Sequence, residues 1–510
     1  MPAARADRAM RLPLLVQLAA ILSASMYVPA AHAVLRNAHF EARAFFYWGT
    51  ILLAVTAAVA IATARHQSTN VTRSHLVALL GALTLLPAMA AIPVREAVAD
   101  TRLVNAYVEM VSAITTTGGT LFAPDRLSQT VHLWRALVAW QGGLLILVAA
   151  VAILAPLRLG GFEVTYSARF GQSARLSDRM QRADPEYRLV RYFILIAPIY
   201  AGLTTLLWLI LAMLGDSPTR AAIHAMSTMA TSGITPGGGV ATSPSGLPGE
   251  MAVMAFLFLA VSRQLVSADL QRDQVVRLPE DREIRIALIL VGAVSFLLLV
   301  RHWTGAYGVD AATSVEGAVS ALWGTAFTVL SFLTTTGFES AEWDTARSWS
   351  GLETPIVLLM GLALFGGGIA TTAGGVKLLR IYALYRHGRG EMHLLIHPHG
   401  IGGGSGARLN IPIRGVQAAW IFFMLFAITI AAVTLLLALA GMEFTQAMIL
   451  AVAGLTTTGP LAEIAIGTGP ATGLGSLPDA AKLIWAGAMV IGRLELLALI
   501  ALFNPDFWRS

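Results

Sequence analysis

The stretch Thr115-Thr116-Thr117-Gly118 is the first of four copies of one phrase, a short run of threonine or serine followed by glycine. The other copies are Thr231-Ser232-Gly233, Thr334-Thr335-Thr336-Gly337 and Thr456-Thr457-Thr458-Gly459. Each copy follows a short helix-compatible segment and lies between two apolar segments long enough to cross a membrane. The pattern predicts an all-α polytopic membrane protein in which four pseudo-symmetric repeats of helix, pore helix, filter loop and helix surround one pore.

Each phrase has a physical reason to form a loop that binds a cation. Consecutive β-branched residues continue a helix poorly, so the short helix should end there, and glycine then tolerates a positive φ. Carbonyl rings from four such loops can replace the hydration shell of an alkali cation, and the negative ends of the four short helices favour the same charge. The predicted filter residues are Thr116, Thr117, Gly118, Thr231, Ser232, Gly233, Thr335, Thr336, Gly337, Thr457, Thr458 and Gly459.

The composition restricts the class of protein. Of the 510 residues, 56% are hydrophobic and 13% are charged, which is typical of a polytopic membrane protein. The chain has no cysteine. Its net charge of +6 lies in loops and not in a basic soluble domain, so nucleic-acid binding is not expected. The apolar runs predict ten spans, near 13–33, 44–63, 76–93, 131–157, 190–214, 249–270, 285–303, 352–384, 413–441 and 480–504.

These spans divide the chain into an N-terminal hairpin and four repeats. The predicted boundaries are 1–70 for the transmembrane hairpin and 71–160, 187–271, 283–385 and 410–510 for the four pore repeats. The first apolar run could be a cleaved signal peptide, and we favour a first transmembrane helix because the run approaches spanning length. The arginine-rich segments 158–191, 272–285 and 377–414 are expected inside, which makes all four filter loops enter from outside.

The third repeat contains a glycine-rich break at membrane depth. The stretch runs from Gly366 to Lys377, and such a stretch cannot hold a stable helix. Broken backbone at this depth must pack in protein or line an aqueous cavity, so we expect a loop across the conduction path below the filter. The alternatives are a flexible link or packing notch, and a phosphate-binding loop whose pattern this order does not match. The predicted gate residues are Gly366, Gly367, Gly368, Thr371, Thr372, Gly374, Gly375, Lys377 and Arg493.

Arg493 belongs to the gate prediction because it falls inside the last apolar segment, 12 residues before Pro505. A charged side chain there is costly unless it is paired or faces water. One interpretation is a fixed positive charge in the cavity that raises the barrier for cations. The other is an ion pair with Glu495 or with another repeat.

These motifs resemble the Trk/Ktr/HKT superfamily of potassium transporters, and most closely the TrkH-like membrane subunit of the Trk branch. The resemblance covers about 105–508 and rests on the filters, the loop from Gly366 to Lys377 and three further phrases. Those phrases are Ala225-Met226-Ser227-Thr228, Gly492-Arg493-Leu494-Glu495 and Asn504-Pro505-Asp506-Phe507-Trp508. The N-terminal hairpin is similar to the additional hairpin of the Trk branch. Two departures concern selectivity, since Ser232 stands where glycine is frequent and Glu339 follows Phe338 near the filter mouth.

The resemblance implies potassium uptake or symport by a multi-pass protein of the inner (plasma) membrane. It implies that K⁺ binds at the carbonyls of Thr117, Ser232, Thr336 and Thr458, and that K⁺ is the transported ion, with no covalently bound cofactor. It also implies a homodimer surrounded by membrane lipid, and a cytosolic nucleotide-binding regulatory ring similar to TrkA as partner. Among these relatives, those that prefer sodium carry serine at the position of Gly118.

Other functions remain as alternatives. A sodium or mixed sodium and potassium transporter would have the same fold. A voltage-gated channel would need an arginine-rich sensor helix. A transporter with inverted repeats would need repeats of opposite topology. Neither pattern is present in the sequence. A membrane-embedded enzyme would need a catalytic pair within the spans, and none is evident, so no enzyme activity is expected.

Overall fold

The structure is a computed structural model and describes residues 12–64, 71–157, 159, 161–162, 185–261, 281–305, 315–352, 354–396, 413–467 and 473–496. Within these ranges all regular elements are helices, which confirms the predicted all-α class. The segments 163–184 and 262–280 lie outside the described residues, as does the phrase from Asn504 to Trp508. The two segments contain four of the seven arginines of the predicted inside loop 158–191 and two of the four arginines of the loop 272–285.

An N-terminal hairpin precedes the repeats. It consists of α1 (Leu14–Ser25), α2 (Tyr27–Leu35) and α3 (His39–Thr63). Helices α1 and α2 together form an apolar segment of 22 residues, long enough to span a membrane. Met26, at their junction, is buried, and Gly49 of α3 approaches it so closely that a Cβ there would lie 3.1 Å from the Cβ of Met26. The first two helices therefore pack directly against α3.

The pattern of helix, short helix, loop and helix occurs four times after the hairpin. The first repeat contains α4 (Val71–Ala97), α5 (Leu103–Ile114) and α6 (Gln129–Ala149), and the second contains α7 (Pro185–Met213), α8 (Pro218–Ala230) and α9 (Gly246–Val261). The third contains α10 (Arg282–Gly305), α11 (Val315–Leu333), α12 (Trp343–Ser350), α13 (Ile356–Phe365) and α14 (Leu378–Ile396). The fourth contains α15 (Ile413–Leu439), α16 (Phe444–Leu455), α17 (Gly459–Ile466) and α18 (Asp479–Leu494).

The pore helices α5, α8 and α16 have 12, 13 and 12 residues, so they are short, as predicted. The third pore helix, α11, differs because it has 19 residues. It ends at Leu333, directly before the threonine run, as α5 and α16 do, so its additional residues lie at the N-terminal end. It is long enough to be counted among the candidate spans, which the sequence reading did not foresee.

Eight helices of the described part of the chain are long and apolar enough to span a membrane, and they are seven of the ten predicted spans together with α11. Of the run near 249–270, the described part lies in α9, a helix of 16 residues that ends at Val261. The run near 352–384 is two helices, because α13 ends at Phe365 and α14 begins at Leu378. The run near 480–504 begins as α18, which has 16 residues and ends where Glu495 takes a φ of 60°. A residue in the left-handed region cannot continue a right-handed helix.

Glycines let the helix after a filter pack directly against the pore helix of the same repeat. A Cβ on Gly142 of α6 would lie 2.0 Å from the carbonyl oxygen of Ile114, the last residue of α5. A Cβ on Gly492 of α18 would lie 2.3 Å from the carbonyl oxygen of Leu455, the last residue of α16. The two contacts occupy the same place in the first and fourth repeats, four residues before the filter glycine, and they fix the pore helix ends.

Candidate ion pathway

Each pore helix ends with the same backbone turn. The amide of the residue before the filter glycine donates a hydrogen bond to the carbonyl five residues earlier, as in a Schellman helix end. The four bonds are Thr117 to Ser112 at 2.8 Å, and Ser232 to Ser227, Thr336 to Ser331 and Thr458 to Ala453 at 2.9 Å each. The predicted helix ends are thus confirmed, and the bonds repeat across all four phrases.

The residue in the left-handed region of this turn is a threonine in every repeat. The φ angles lie between 51° and 57° at Thr116, Thr231, Thr335 and Thr457. A β-branched residue in this region costs on the order of 1–2 kcal/mol, so the four turns are strained and must be held by their surroundings. The sequence pattern predicts a positive φ at the glycines alone, because threonine is rarely found in this region.

The filter glycines follow the prediction in three repeats and depart from it in the fourth. Gly118, Gly233 and Gly337 have φ angles of 81°, 69° and 82°. Gly459 does not have a positive φ, because it is the first residue of α17 and is followed by Pro460, which suits the first turn of a helix. The fourth phrase therefore turns at once into a helix where the other three continue as loops.

The four phrases contact one another in a closed cycle that follows chain order. A Cβ on Gly118 would lie 1.5 Å from the carbonyl oxygen of Ser232, and one on Gly233 would lie 2.2 Å from that of Thr336. A Cβ on Gly337 would lie 2.8 Å from the Pro460 side chain. A hydrogen bond of 2.7 Å from the Gly459 amide to the Thr117 carbonyl closes the cycle. The structure thus brings all four phrases together, and only glycine fits at these contacts.

The carbonyls predicted to bind the cation are not equivalent. The Thr117 carbonyl accepts the Gly459 amide, and the Thr458 carbonyl accepts the Leu461 amide at 3.2 Å. Each carbonyl oxygen has two lone pairs, so one remains at each of these two positions. The Ser232 and Thr336 carbonyls instead face the glycine of the preceding repeat. The predicted filter residues are buried, except for Gly233, which is half-buried.

Hydroxyl pairs stabilise each phrase from within. The side-chain oxygens of the first and third threonines are 2.8 Å apart in the first phrase, 3.0 Å in the third and 3.2 Å in the fourth. The second phrase has Ala230 in place of the first threonine, and there Ser232 pairs with Ser227 at 3.1 Å. A serine hydroxyl thus replaces the missing threonine, which gives Ser232 a structural role within its repeat.

Carboxylates hold the segments that follow the filters, and the sequence pattern does not predict these contacts. In the first repeat, Glu109 of α5 forms an ion pair with Arg135 of α6 at 2.6 Å and accepts the Leu121 amide at 3.0 Å. The Thr120 amide donates to Glu463 of α17 at 2.8 Å, which links the fourth repeat to the first. The presence of charged residues within apolar helices is the sequence signal that could have identified these carboxylates, since such residues are rarely buried there without a partner.

Glu250 of α9 makes the corresponding link between the second and third repeats. Its carboxylate accepts the Ala341 amide at 2.7 Å, the Ser340 hydroxyl at 2.6 Å and the Trp323 indole N–H at 2.8 Å. Because Glu250 is buried, these three bonds replace water around the charge. Glu339, which the sequence singled out, lies one residue before Ser340, and burial, followed by the nearby Asp344, raises its pKa.

The glycine-rich segment between α13 and α14 lies against the pore helix ends of three repeats. The Gly374 amide donates to Thr335 Oγ1 at 2.8 Å, and the Thr372 hydroxyl donates to the Met229 carbonyl at 3.4 Å. A Cβ on Gly374 would lie 2.2 Å from the Thr456 carbonyl oxygen. This segment, the intramembrane loop 366–377, is thus packed directly beside the filter phrases. Its residues are buried, except for Gly375, which is half-buried.

Arg493 contacts the intramembrane loop and not Glu495. Its Nη1 donates to the Thr372 carbonyl at 2.5 Å, whereas Glu495 forms an ion pair with Arg380 of α14 at 2.9 Å. The local pair considered from sequence is therefore not formed. Among the described residues, Nε and Nη2 of Arg493 have no hydrogen-bond partner. Lys377, at the other end of the loop, donates from Nζ to the Ala373 carbonyl.

The chain is similar to known transport proteins over most of its length. Residues 284–510 match the TrkH family model, described as cation transport protein. The Trk system potassium uptake protein TrkI of Halomonas elongata is 31% identical over 439 residues, which cover 83% of this chain and 82% of the relative. TrkH of Vibrio parahaemolyticus, also named a Trk system potassium uptake protein, is 30% identical over 421 residues, covering 80% of each chain.

The fold is also that of a solved structure. The crystal structure of the potassium transporter TrkH from Vibrio parahaemolyticus matches with a TM-score of 0.77 at 24% identity, covering 99% of this chain and all of that one. The protein is thus a multi-pass protein of the inner membrane and not an enzyme, as predicted. On these similarities, the chain belongs to the TrkH family of cation transport proteins.

Proposed function

We propose that this chain mediates potassium uptake through a pore surrounded by the four filter phrases. The observation that carries the proposal is the closed cycle of contacts from the first phrase to the fourth and back to the first. Four phrases that touch in this way can present carbonyl oxygens to one cation, with K⁺ at Thr117, Ser232, Thr336 and Thr458. The names of the relatives, Trk system potassium uptake proteins, support potassium as the ion.

A mixed sodium and potassium transporter is the second candidate, and the unequal phrases favour it. Two of the four proposed ligand carbonyls already accept a backbone hydrogen bond, and the fourth phrase continues as a helix. Fewer equivalent carbonyls around the ion reduce the advantage of a larger cation, because selectivity depends on the number and arrangement of coordinating dipoles. Uptake of potassium and sodium measured separately distinguishes the two candidates.

We propose that the intramembrane loop 366–377 is the gate and that Arg493 lies on the pathway beside it. The loop packs against the pore helix ends of three repeats, and Arg493 donates a hydrogen bond to the Thr372 carbonyl in its middle. The two remaining guanidinium nitrogens would be satisfied by water in a cavity, which suits a charge on the ion path. A fixed positive charge there raises the barrier for a passing cation.

We propose the predicted repeat boundaries as the functional division of the chain, with 71–160, 187–271, 283–385 and 410–510 each contributing one filter phrase. The proposed assembly is a homodimer in membrane lipid. Its proposed partner is a cytosolic nucleotide-binding ring of the TrkA type, which the Trk system names of the relatives support. No cofactor beyond the transported K⁺ is part of the proposal.

Flux measurements in liposomes test the function and the gate together. Purified protein should pass K⁺ in preference to Na⁺, and measurements with and without proton or sodium gradients separate passive flux from symport. Deletion of residues 369–373 should raise basal flux per folded molecule. Equal K⁺ and Na⁺ flux would favour the mixed transporter, and unchanged flux in the folded deletion variant would remove the gate from the proposal.

A further inference from the structure

The first half of the intramembrane loop is held by residues that flank a predicted cytosolic linker. Glu283, in the first turn of α10, is fully buried, and its Oε1 accepts the Ile369 amide at 2.8 Å. Val261, the last residue of α9, lies on the other side, because a Cβ on Gly368 would be 2.2 Å from the Val261 carbonyl oxygen. In sequence, Val261 directly precedes 262–280, and Glu283 lies three residues after this segment.

The position of Glu283 is itself fixed by the start of its helix. The Glu283 amide donates to Asp281 Oδ1 at 2.9 Å, which is the bond of an N-terminal cap. The Arg285 amide donates to the Asp281 carbonyl at 3.1 Å, so the first turn of α10 is formed from its first residue. The carboxylate therefore reaches the loop from a regular helix, and a shift of this helix end would move the loop.

Ile369 also contacts the end of the first repeat. A Cβ on Gly161 would lie 2.6 Å from Cγ1 of Ile369, and Gly161 has a φ of 89°. Gly161 follows α6 and lies near the start of the arginine-rich segment 158–191 in sequence. Ile369 thus contacts the ends of two repeats. Its backbone amide contacts Glu283, and its side chain contacts Gly161.

We propose that Glu283 is a positioning residue of the gate, whose carboxylate holds the intramembrane loop in the conformation seen here through the Ile369 amide. The proposal rests on the loop being the gate, as put forward above. Through this bond, the predicted cytosolic end of α10 biases the equilibrium between the held and released loop. A hydrogen bond to a charged group corresponds to about a tenfold to hundredfold shift in such an equilibrium.

Three substitutions separate the hydrogen bond from other roles of the side chain. Glu283→Ala removes the acceptor, and basal K⁺ flux per folded molecule should rise by about tenfold or more. Glu283→Gln keeps an oxygen acceptor on a side chain of equal length, and flux should stay near that of the unsubstituted protein. Glu316→Ala is the matched control, because Glu316 is an exposed glutamate in the first turn of α11. The ratio of K⁺ to Na⁺ flux should be the same in all of them.

Thiol labelling gives a second readout that does not depend on flux. The chain has no cysteine, so Ala370→Cys introduces a single reactive group in the loop beside Ile369. Ala370 is buried, with 5% of its surface exposed, and labelling by a charged thiol reagent should be slow. Labelling should accelerate when Glu283→Ala is added and should stay slow when Glu283→Gln is added.

The outcomes distinguish the proposal from the gate on which it rests. Higher flux and faster labelling in Glu283→Ala, both restored by Glu283→Gln, would support it. If deletion of residues 369–373 raises flux while folded Glu283→Ala does not, Glu283 does not hold the loop although the loop is the gate. If the deletion itself leaves flux unchanged, the gate assignment fails. Equal effects of Ala and Gln would also overturn the proposal, since the hydrogen bond would then be irrelevant.

If Glu283→Ala does not fold, Gly368→Ala tests the same half of the loop, and its unchanged labelling would count against the proposal.

Discussion

Replacement of Gly118 by serine should damage the filter more than the same change at Gly337. At Gly118 the new Cβ would lie 1.5 Å from the Ser232 carbonyl oxygen. Real contacts of this kind are not shorter than 3.0 Å, so the first and second filter phrases must separate by about 1.5 Å. Coulomb attraction falls with distance, and an oxygen displaced this far no longer acts as a contact ligand. The positive φ adds on the order of 1–2 kcal/mol of strain. At Gly337 the φ is equally positive, but the Cβ meets the Pro460 side chain at 2.8 Å, a smaller overlap.

We expect the ratio of K⁺ to Na⁺ flux to fall at least tenfold in Gly118→Ser, which corresponds to about 1.4 kcal/mol of discrimination. The fall should be clearly smaller in Gly337→Ser. Gly487→Ser is the matched control, because Gly487 lies in α18 and, among the described residues, no atom outside the backbone of its own helix lies within 4 Å of the added Cβ. The assay is isotope flux into liposomes, normalised to folded protein measured by size-exclusion chromatography. An unchanged ratio of K⁺ to Na⁺ flux in folded Gly118→Ser, or a larger effect at Gly337, would refute the assignment of these phrases as the filter.

Three further changes test the groups around the filter. Arg493→Ala removes a fixed charge and should raise cation flux by roughly tenfold or more without altering the K⁺ to Na⁺ ratio; normal or lower flux per folded molecule would remove Arg493 from the pathway. Glu250→Ala leaves three donors without an acceptor and should destabilise the protein by about 3 kcal/mol, seen as a lower denaturation temperature in detergent, whereas Glu250→Gln should recover part of the loss. Burial raises the pKa of Glu463 to about 7, so its carboxylate is charged above this pH and neutral below it. K⁺ uptake should therefore fall as the external pH drops from 8 to 6. The same pH profile in a Glu463→Gln variant would exclude Glu463 as the origin of this pH dependence.

The sequence predicts the local features of this pathway because they depend on neighbouring residues. The threonine run ends each pore helix, and the glycine run from Gly366 to Lys377 divides a span, both through backbone preferences alone. The early start of α17 at Gly459 could also have been inferred, since Pro460 directly after it favours a first helical turn. Threonine at Thr116 in the left-handed region is different, because the surrounding fold imposes that conformation against its local preference.

Long-range contacts are the part that the sequence did not reveal. Glu463 and Thr120 are 343 positions apart, and Arg493 and Thr372 are 121 apart. A single sequence gives no information on which distant residues meet, so the carboxylate links between repeats were not predicted. For the same reason Glu495 was considered as the partner of Arg493, whereas the fold pairs Glu495 with Arg380.

The closed cycle of filter contacts has a consequence for how this protein is made and how it varies. The contact from Gly459 to Thr117 joins the last phrase to the first, so a nascent chain that has inserted three repeats still lacks a complete ring. Completion of the ring therefore waits until the fourth repeat has been synthesised. Because each phrase is encoded separately, a single codon change alters one quarter of the ring, and selectivity can drift in small steps that a pore of four identical subunits does not allow.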